Sequence, residues 1–126
     1  SCSVPHAQPV LTCMAFSLEY EGKKFVYSGD AGICDGLTAL AQDADVLLHW
    51  CYRLDGERAL PILESVTPTP SQICAMAKGA GVDRLLLTHF RVHMDAPDKH
   101  AAALKVVHEA FDQRSGIVED LDVYEI

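Results

Sequence analysis

The sequence predicts an α/β domain built on a mixed β-sheet with helices, and three observations carry that prediction. Two apolar stretches, Val10 to Tyr20 and Phe25 to Tyr27, are joined by the polar Glu21-Gly22-Lys23-Lys24 and read as an antiparallel hairpin. Two further apolar runs, Asp45 to Trp50 and Val82 to Thr88, are each preceded by a helical pattern. The unbroken Leu85-Leu86-Leu87 suits a parallel strand covered on both faces. Helical crossovers between strands of one sheet are right-handed in nearly all cases, so the strands at Phe25, Val46 and Leu85 run parallel and their C-terminal ends share one edge. The 126 residues are enough for one domain with a sizeable core.

Each element has a local cause. Ser28-Gly29-Asp30-Ala31-Gly32 supplies glycines for a tight strand-to-helix turn, and Leu37, Leu40 and Ala41 mark one face of the short helix that follows. Residues Cys51 to Pro70 carry polar side chains at Arg53, Asp55, Glu57 and Arg58 and prolines at 61, 68 and 70, which predicts a long irregular loop of the kind that is often functional. Thr69 as N-cap, Pro70 at the first helical position and Gln72 completing a capping box open the next helix, which ends at Gly79-Ala80-Gly81. Phe90 to Pro97 reads as a second loop, Asp98 to Asp112 as an amphipathic helix presenting Leu104, Val107 and Phe111, and Ile117 to Ile126 as a terminal strand.

The composition narrows the function. A formal charge of -8 argues against a protein whose overall field draws in a phosphate backbone, and no basic patch stands out in the chain. Nucleic acid is therefore not indicated by charge. The five cysteines are odd in number, irregularly spaced and without a CxxC pair, so they read as small hydrophobes of a reducing compartment rather than a disulfide framework or zinc knuckle. No apolar run approaches the roughly 20 residues of a membrane span, and no signal peptide is visible, so a cytoplasmic protein is expected.

Three chemistry-bearing residues fall at the predicted sheet edge. Asp30 follows the first parallel strand, His49 ends the second and His89 ends the third. His6, between Pro5 and Pro9, lies on an extended segment able to approach the same place. Taken singly, a strand-end histidine usually packs or caps, and an aspartate beside glycine usually forms an Asx-turn. Together, at the edge where open α/β sheets bind ligands, they point to a polar ligand or metal site. His93 is a weaker candidate beside His89, His100 and His108 are helical and read as surface or half-buried, and Trp50 and Tyr52 read as cleft walls or core.

The segments VYSGDAG, ADVLLHWCY and SQICAMAKGAGVDRLLLTHF, in that order, resemble the C-terminal half of the metallo-β-lactamase fold, in the branch of ribonuclease Z and arylsulfatase-like hydrolases. The corresponding patterns there are a YSGDT strand end, a HEAT strand and an LTH strand, and VPHAQPVLTCMAFSLEY is similar to the histidine-bearing stretch before them. The resemblance implies His6 as ligand of a first metal ion, Asp30 as a carboxylate bridging two ions, His89 as ligand of the second, and His49 as general acid or base. It implies two divalent ions in the complete protein, zinc first among them, with manganese or iron also suited to such donors. The implied activity is hydrolysis of a phosphodiester or related small ester.

The departures shape the expectation. His49 is followed by Trp50-Cys51-Tyr52 instead of Glu-Ala-Thr, no histidine stands in Thr67 to Pro70, and the HxHxDH motif of the family's N-terminal half is absent. Residues 1 to 126 are thus expected to form a single domain equivalent to the C-terminal half of an αββα sandwich, inactive alone. The expected partner is the missing N-terminal half or a second copy in a homodimer. The competing reading is a non-catalytic α/β module that binds a small ligand or protein at the strand edge.

Overall fold

The computed structural model describes residues 1 to 6 and 12 to 126. Strand β1 (Cys2–Val4) precedes β2 (Cys13–Tyr20) and β3 (Lys23–Tyr27), and helix α1 (Asp35–Leu40) leads into β4 (Val46–Trp50). The one-turn α2 (Pro61–Glu64) and the longer α3 (Pro70–Gly79) lead into β5 (Arg84–Thr88). A 3-10 turn (Val92–Met94), helix α4 (Pro97–Ala110) and β6 (Gly116–Ile117) complete the chain. The strands form one sheet in the order β1-β2-β3-β4-β5-β6. The β1/β2 and β2/β3 pairs are antiparallel, and β3/β4, β4/β5 and β5/β6 are parallel, which makes the mixed sheet expected from the sequence.

The hairpin turn uses Glu21 and Gly22 at positive φ, 49° and 78°, which matches the right-handed twist of the strands it joins. Asp45, just before β4, ties this hairpin to the parallel strands: its Oδ2 accepts from the Lys24 backbone N–H at 2.8 Å and its Oδ1 accepts from Lys23 Nζ at 2.9 Å. The α3 capping box is present, with the Thr69 N–H donating to Gln72 Oε1 at 2.9 Å. Its inward face, Ile73, Cys74, Met76 and Ala77, is buried against the sheet core of Val26, Leu47, Leu85 and Leu87. All five cysteines are free. Burial, helped by nearby carboxylates, pushes the Cys51 thiol up to about 12 and the Cys74 thiol to about 11, so both remain protonated packing groups.

Several expectations are corrected. Residues 10 and 11 of the first expected strand lie outside the described residues, and the strand begins at Cys13. The short β1 went unrecognised, because three residues are too few for a periodic signal. The long loop contains α2, and the second loop contains the 3-10 turn. The expected terminal strand shrinks to Gly116–Ile117. Beyond it, the Asp122 N–H donates to the Glu119 carbonyl at 3.2 Å, the Glu119 N–H donates to Asp122 Oδ2 at 2.9 Å, and Leu121 takes a φ of 73°. That local turn removes the residues from the extended region, and Leu121 and Val123 are exposed.

One sheet face carries the helices; the other stays open at β2. Phe16, Leu18 and Tyr20 alternate along that strand and are 52%, 66% and 70% exposed, while their cross-strand neighbours Phe25 and Tyr27 are half-buried. The C-terminal segment crosses part of this face, where Tyr124 lies under the Arg84 guanidinium at 4.7 Å and Ile126 approaches Leu18 and Phe25. Among the described residues no helix is long and apolar enough to cross a membrane.

Candidate functional site

Asp30 reaches the sheet edge through a turn that only glycine permits. Gly29 has a φ of 58°, and a Cβ there would stand 2.6 Å from the Met14 carbonyl oxygen. Gly32 serves close approach instead: a Cβ would meet Ser65 O at 2.7 Å, and its N–H donates to the Pro5 carbonyl at 2.8 Å. That bond holds the segment of His6 beside the Asp30 turn. His89 follows β5 directly with a φ of 55°, a left-handed conformation that a side chain with a Cβ rarely adopts. The backbone there is strained, and the strain aims an exposed imidazole back across the edge.

The result is a carboxylate between two imidazoles. His6 Nε2 lies 4.0 Å from Asp30 Oδ2, and His89 Nε2 lies 3.6 Å from Asp30 Oδ1. Each ring thus faces a different oxygen. Trp50 forms the floor between them, with ring centroids 5.2 Å from His6 and 6.2 Å from His89, and its Nε1 donates to the Ala31 carbonyl at 2.7 Å. Trp50 is 2% exposed and so serves as core and cleft wall at once. These residues line a cleft of about 650 Å³ that continues along Tyr52, Arg91 and His93.

His49 is not brought to this cleft. Along β4 it shares a face with Leu47 and stands opposite Leu87, on the helix-covered side, and it is 0% exposed. Its Nδ1 lies 2.7 Å from the Trp50 carbonyl oxygen. A carbonyl only accepts, so Nδ1 carries the proton and Nε2 is a lone pair, which finds no partner among the described residues. Burial lowers the imidazole to about 4, against a smaller upward pull from the Trp50 carbonyl, so the ring is neutral at physiological pH.

His93 lines the cleft, its Nε2 3.9 Å from Glu57 Oε2, whereas His100 and His108 are half-buried on α4. Sequence reasoning missed Arg91, whose Nη1 donates to the Tyr52 hydroxyl and whose guanidinium lies 4.5 Å over that ring. Its signal was its position two residues after His89, on the loop that rises from the same edge.

The Beta-lactamase superfamily domain model matches residues 2–90, from the first strand through His89. The chain belongs to that family. Within this superfamily it falls in the ribonuclease Z-like branch. It is 38% identical over 109 residues to a ribonuclease Z of Nostoc, which covers 83% of this chain and 33% of the relative, and 41% identical over 68 residues to a ribonuclease Z of Methanosarcina acetivorans, 54% and 22%. The chain thus spans about a third or less of the length of these superfamily relatives. The metallo-β-lactamase fold protein YhfI from Bacillus subtilis superposes with a TM-score of 0.72 at 21% identity, over 94% of this chain and 45% of that one. The short form of human tRNase Z gives 0.63 at 24%, over 92% and 39%. Both show the superfamily's fold.

The resemblance implies two ions at this edge. Two histidines facing separate oxygens of one carboxylate are donors of the kind such ions take, and His6, Asp30 and His89 would hold part of such a centre. They do not fit a self-sufficient one: among the described residues no group of three or more metal-binding side chains gathers around a single point. A closed or nearly closed zinc-type site needs three or four protein ligands.

Proposed function

We propose that this chain is part of a metal-dependent hydrolase that cleaves RNA phosphodiester bonds, and that it contributes His6, Asp30 and His89 to a two-ion centre completed by the rest of the protein. The observation that carries the proposal is the carboxylate whose two oxygens face one imidazole each, 4.0 Å and 3.6 Å away. The likeness to ribonuclease Z chains supports RNA as the substrate class. Bound there, the ions would supply an activated water and stabilise charge on the phosphoryl oxygens. Zinc is the first choice, and the oxygen and imidazole donors also suit manganese or iron.

This chain's own groups shape the cleft around that centre. Asp30 fixes the spacing of the two half-sites, Trp50 floors the cleft and excludes water beneath it, and Tyr52 and Arg91 form its far wall. A general acid or base must reach the reacting atoms, so we assign His49 a positioning role: it holds the Trp50 carbonyl and thereby the strand end on which the floor rests. The open face of Phe16, Leu18 and Tyr20 is where the remainder of the protein docks, or a second copy when the chain is alone.

The test is metal content. The chain joined to the remainder of its parent should carry two ions per molecule, and Asp30→Asn should lose both while the fold, followed by circular dichroism, survives. Two ions retained in Asp30→Asn would overturn the bridging assignment. A non-catalytic binding module has one observation in its favour, the missing third ligand among the described residues. No cleavage of RNA by the metal-loaded parent protein would decide for it.

A further inference from the structure

The cleft at Asp30 continues into a second recess of about 750 Å³, and Tyr52, Arg91 and His93 line both. Three of the chain's five arginines converge there, Arg53 and Arg58 from the loop after β4 and Arg91 from the loop after β5, in a molecule of formal charge -8. Two of these charges, those of Arg53 and Arg91, are held in place by neutral groups. Arg91 is fixed by the Tyr52 hydroxyl and ring. Arg53 donates Nε to the Thr67 carbonyl and Nη1 to the Glu57 carbonyl, both at 2.8 Å. Arg58 is exposed at the rim.

The one acid on the wall is already occupied. Glu57 Oε1 meets Lys99 Nζ at 2.5 Å, and its Oε2 accepts the Leu54 N–H at 2.9 Å. With Lys99 cancelling Glu57, the arginines leave a local positive field that the net charge conceals. A solvated surface arginine needs no such mounting. Arg53 and Arg91, oriented by carbonyls and a phenol and with no carboxylate paired to them among the described residues, are preorganised to bind a phosphate through charge-assisted hydrogen bonds, and Arg58 adds a third positive charge at the rim.

We propose that this recess is a phosphoryl-binding subsite in which Arg58 and Arg91, with Arg53 behind them and His93 on the shared wall, hold a phosphate group adjacent to the Asp30 edge. That the group belongs to a nucleic-acid chain rests on the RNA reading above; the anion site itself does not.

The test titrates the 126-residue chain, without metal, with inorganic phosphate and with a 5′-phosphorylated ribodinucleotide, following the amide and arginine Nε resonances by NMR. Shifts should centre on Tyr52, Arg58, Arg91 and His93. Arg58→Gln, at the exposed rim, and Arg91→Gln should each weaken binding about tenfold, the loss of one charge-assisted hydrogen bond. Each should also lower the log–log salt slope for the dinucleotide by about 0.7. Lys24→Gln, which removes a positive charge at the opposite end of the parallel strands, should leave binding within about twofold, which separates this site from a general effect of net charge. Tighter binding of the dinucleotide than of phosphate supports a chain phosphate, and the reverse supports a free one; either result supports the subsite. Binding of both probes unchanged in the two arginine variants, or shifts confined to other surfaces, overturns it.

Discussion

His49 should write its burial into the pH dependence of stability. The ring is wholly buried, and burial lowers it to about 4 in the folded chain against 6.5 as its ordinary value. Above pH 6.5 both states keep it neutral and its contribution to stability is fully present. As the pH falls from 6.5, the unfolded chain takes up a proton that the folded chain refuses, and stability declines until the folded ring protonates near 4. That gap is worth about 3 kcal/mol in all, about 2 kcal/mol of it gone by about pH 5. Glu57, held below its ordinary 4.5 by hydrogen bonding to Lys99, loses its contribution only below that pH, so it does not intrude on the window. Urea unfolding followed by the single tryptophan, at about pH 7 and about pH 5, measures the difference. In His49→Asn the amide nitrogen stands where Nδ1 stood and can still donate to the Trp50 carbonyl, but nothing titrates. The variant should lose little between the two pH values where the parent loses about 2 kcal/mol. Parallel losses in the two proteins would show that His49 is not a buried neutral ring.

His89→Gly should raise stability by about 0.5 to 1 kcal/mol, because glycine adopts the φ of 55° freely, while removing one imidazole from the Asp30 cluster. A lower urea midpoint than the parent's would show that the left-handed residue carries no strain. Gly29→Ala should cost about 2 kcal/mol or more, since the added methyl meets the Met14 carbonyl at 2.6 Å in a backbone already at positive φ. An unchanged unfolding midpoint would mean that the Asp30 turn can relax without loss.

The sheet was legible because its signals are local. The Glu21-Gly22 turn, the Leu85 to Leu87 run and the Thr69/Gln72 box each act within a few residues, and each has the predicted form in the fold. The Asp30 and His89 juxtaposition was legible for a different reason: parallel topology carries the ends of β3 and β5 to one edge whatever lies between. His49 was expected at that edge by the same route, whereas the fold buries its side chain on the helix-covered side. A strand-end residue points to one face or the other by parity, and Val46-Leu47-Leu48-His49-Trp50 is buried on both faces, so alternation is silent there. The cationic recess was illegible because Arg91 is far along the chain from Arg53 and Arg58, and acids are interleaved among them. Only the fold shows that Glu57 is cancelled by Lys99 while Arg53 and Arg91 rest on neutral acceptors.

On the proposed reading, the open sheet face and the half-complete donor set have one physical cause. A sheet stabilised on one side by α1, α3 and α4 can leave Phe16, Leu18 and Tyr20 in water only at the cost of their unburied apolar area, about 25 cal/mol per Å². Burying that row against a second layer offsets the cost. A layer laid on this face and rising to the same edge would stand across the cleft from Asp30, where two half-sites lack their remaining ligands. The same layer would leave the helix-covered side untouched, where His49 lies. Completion of the core and completion of the metal site are then a single docking event, with the arginine-lined recess continuous with the completed edge through Tyr52, Arg91 and His93.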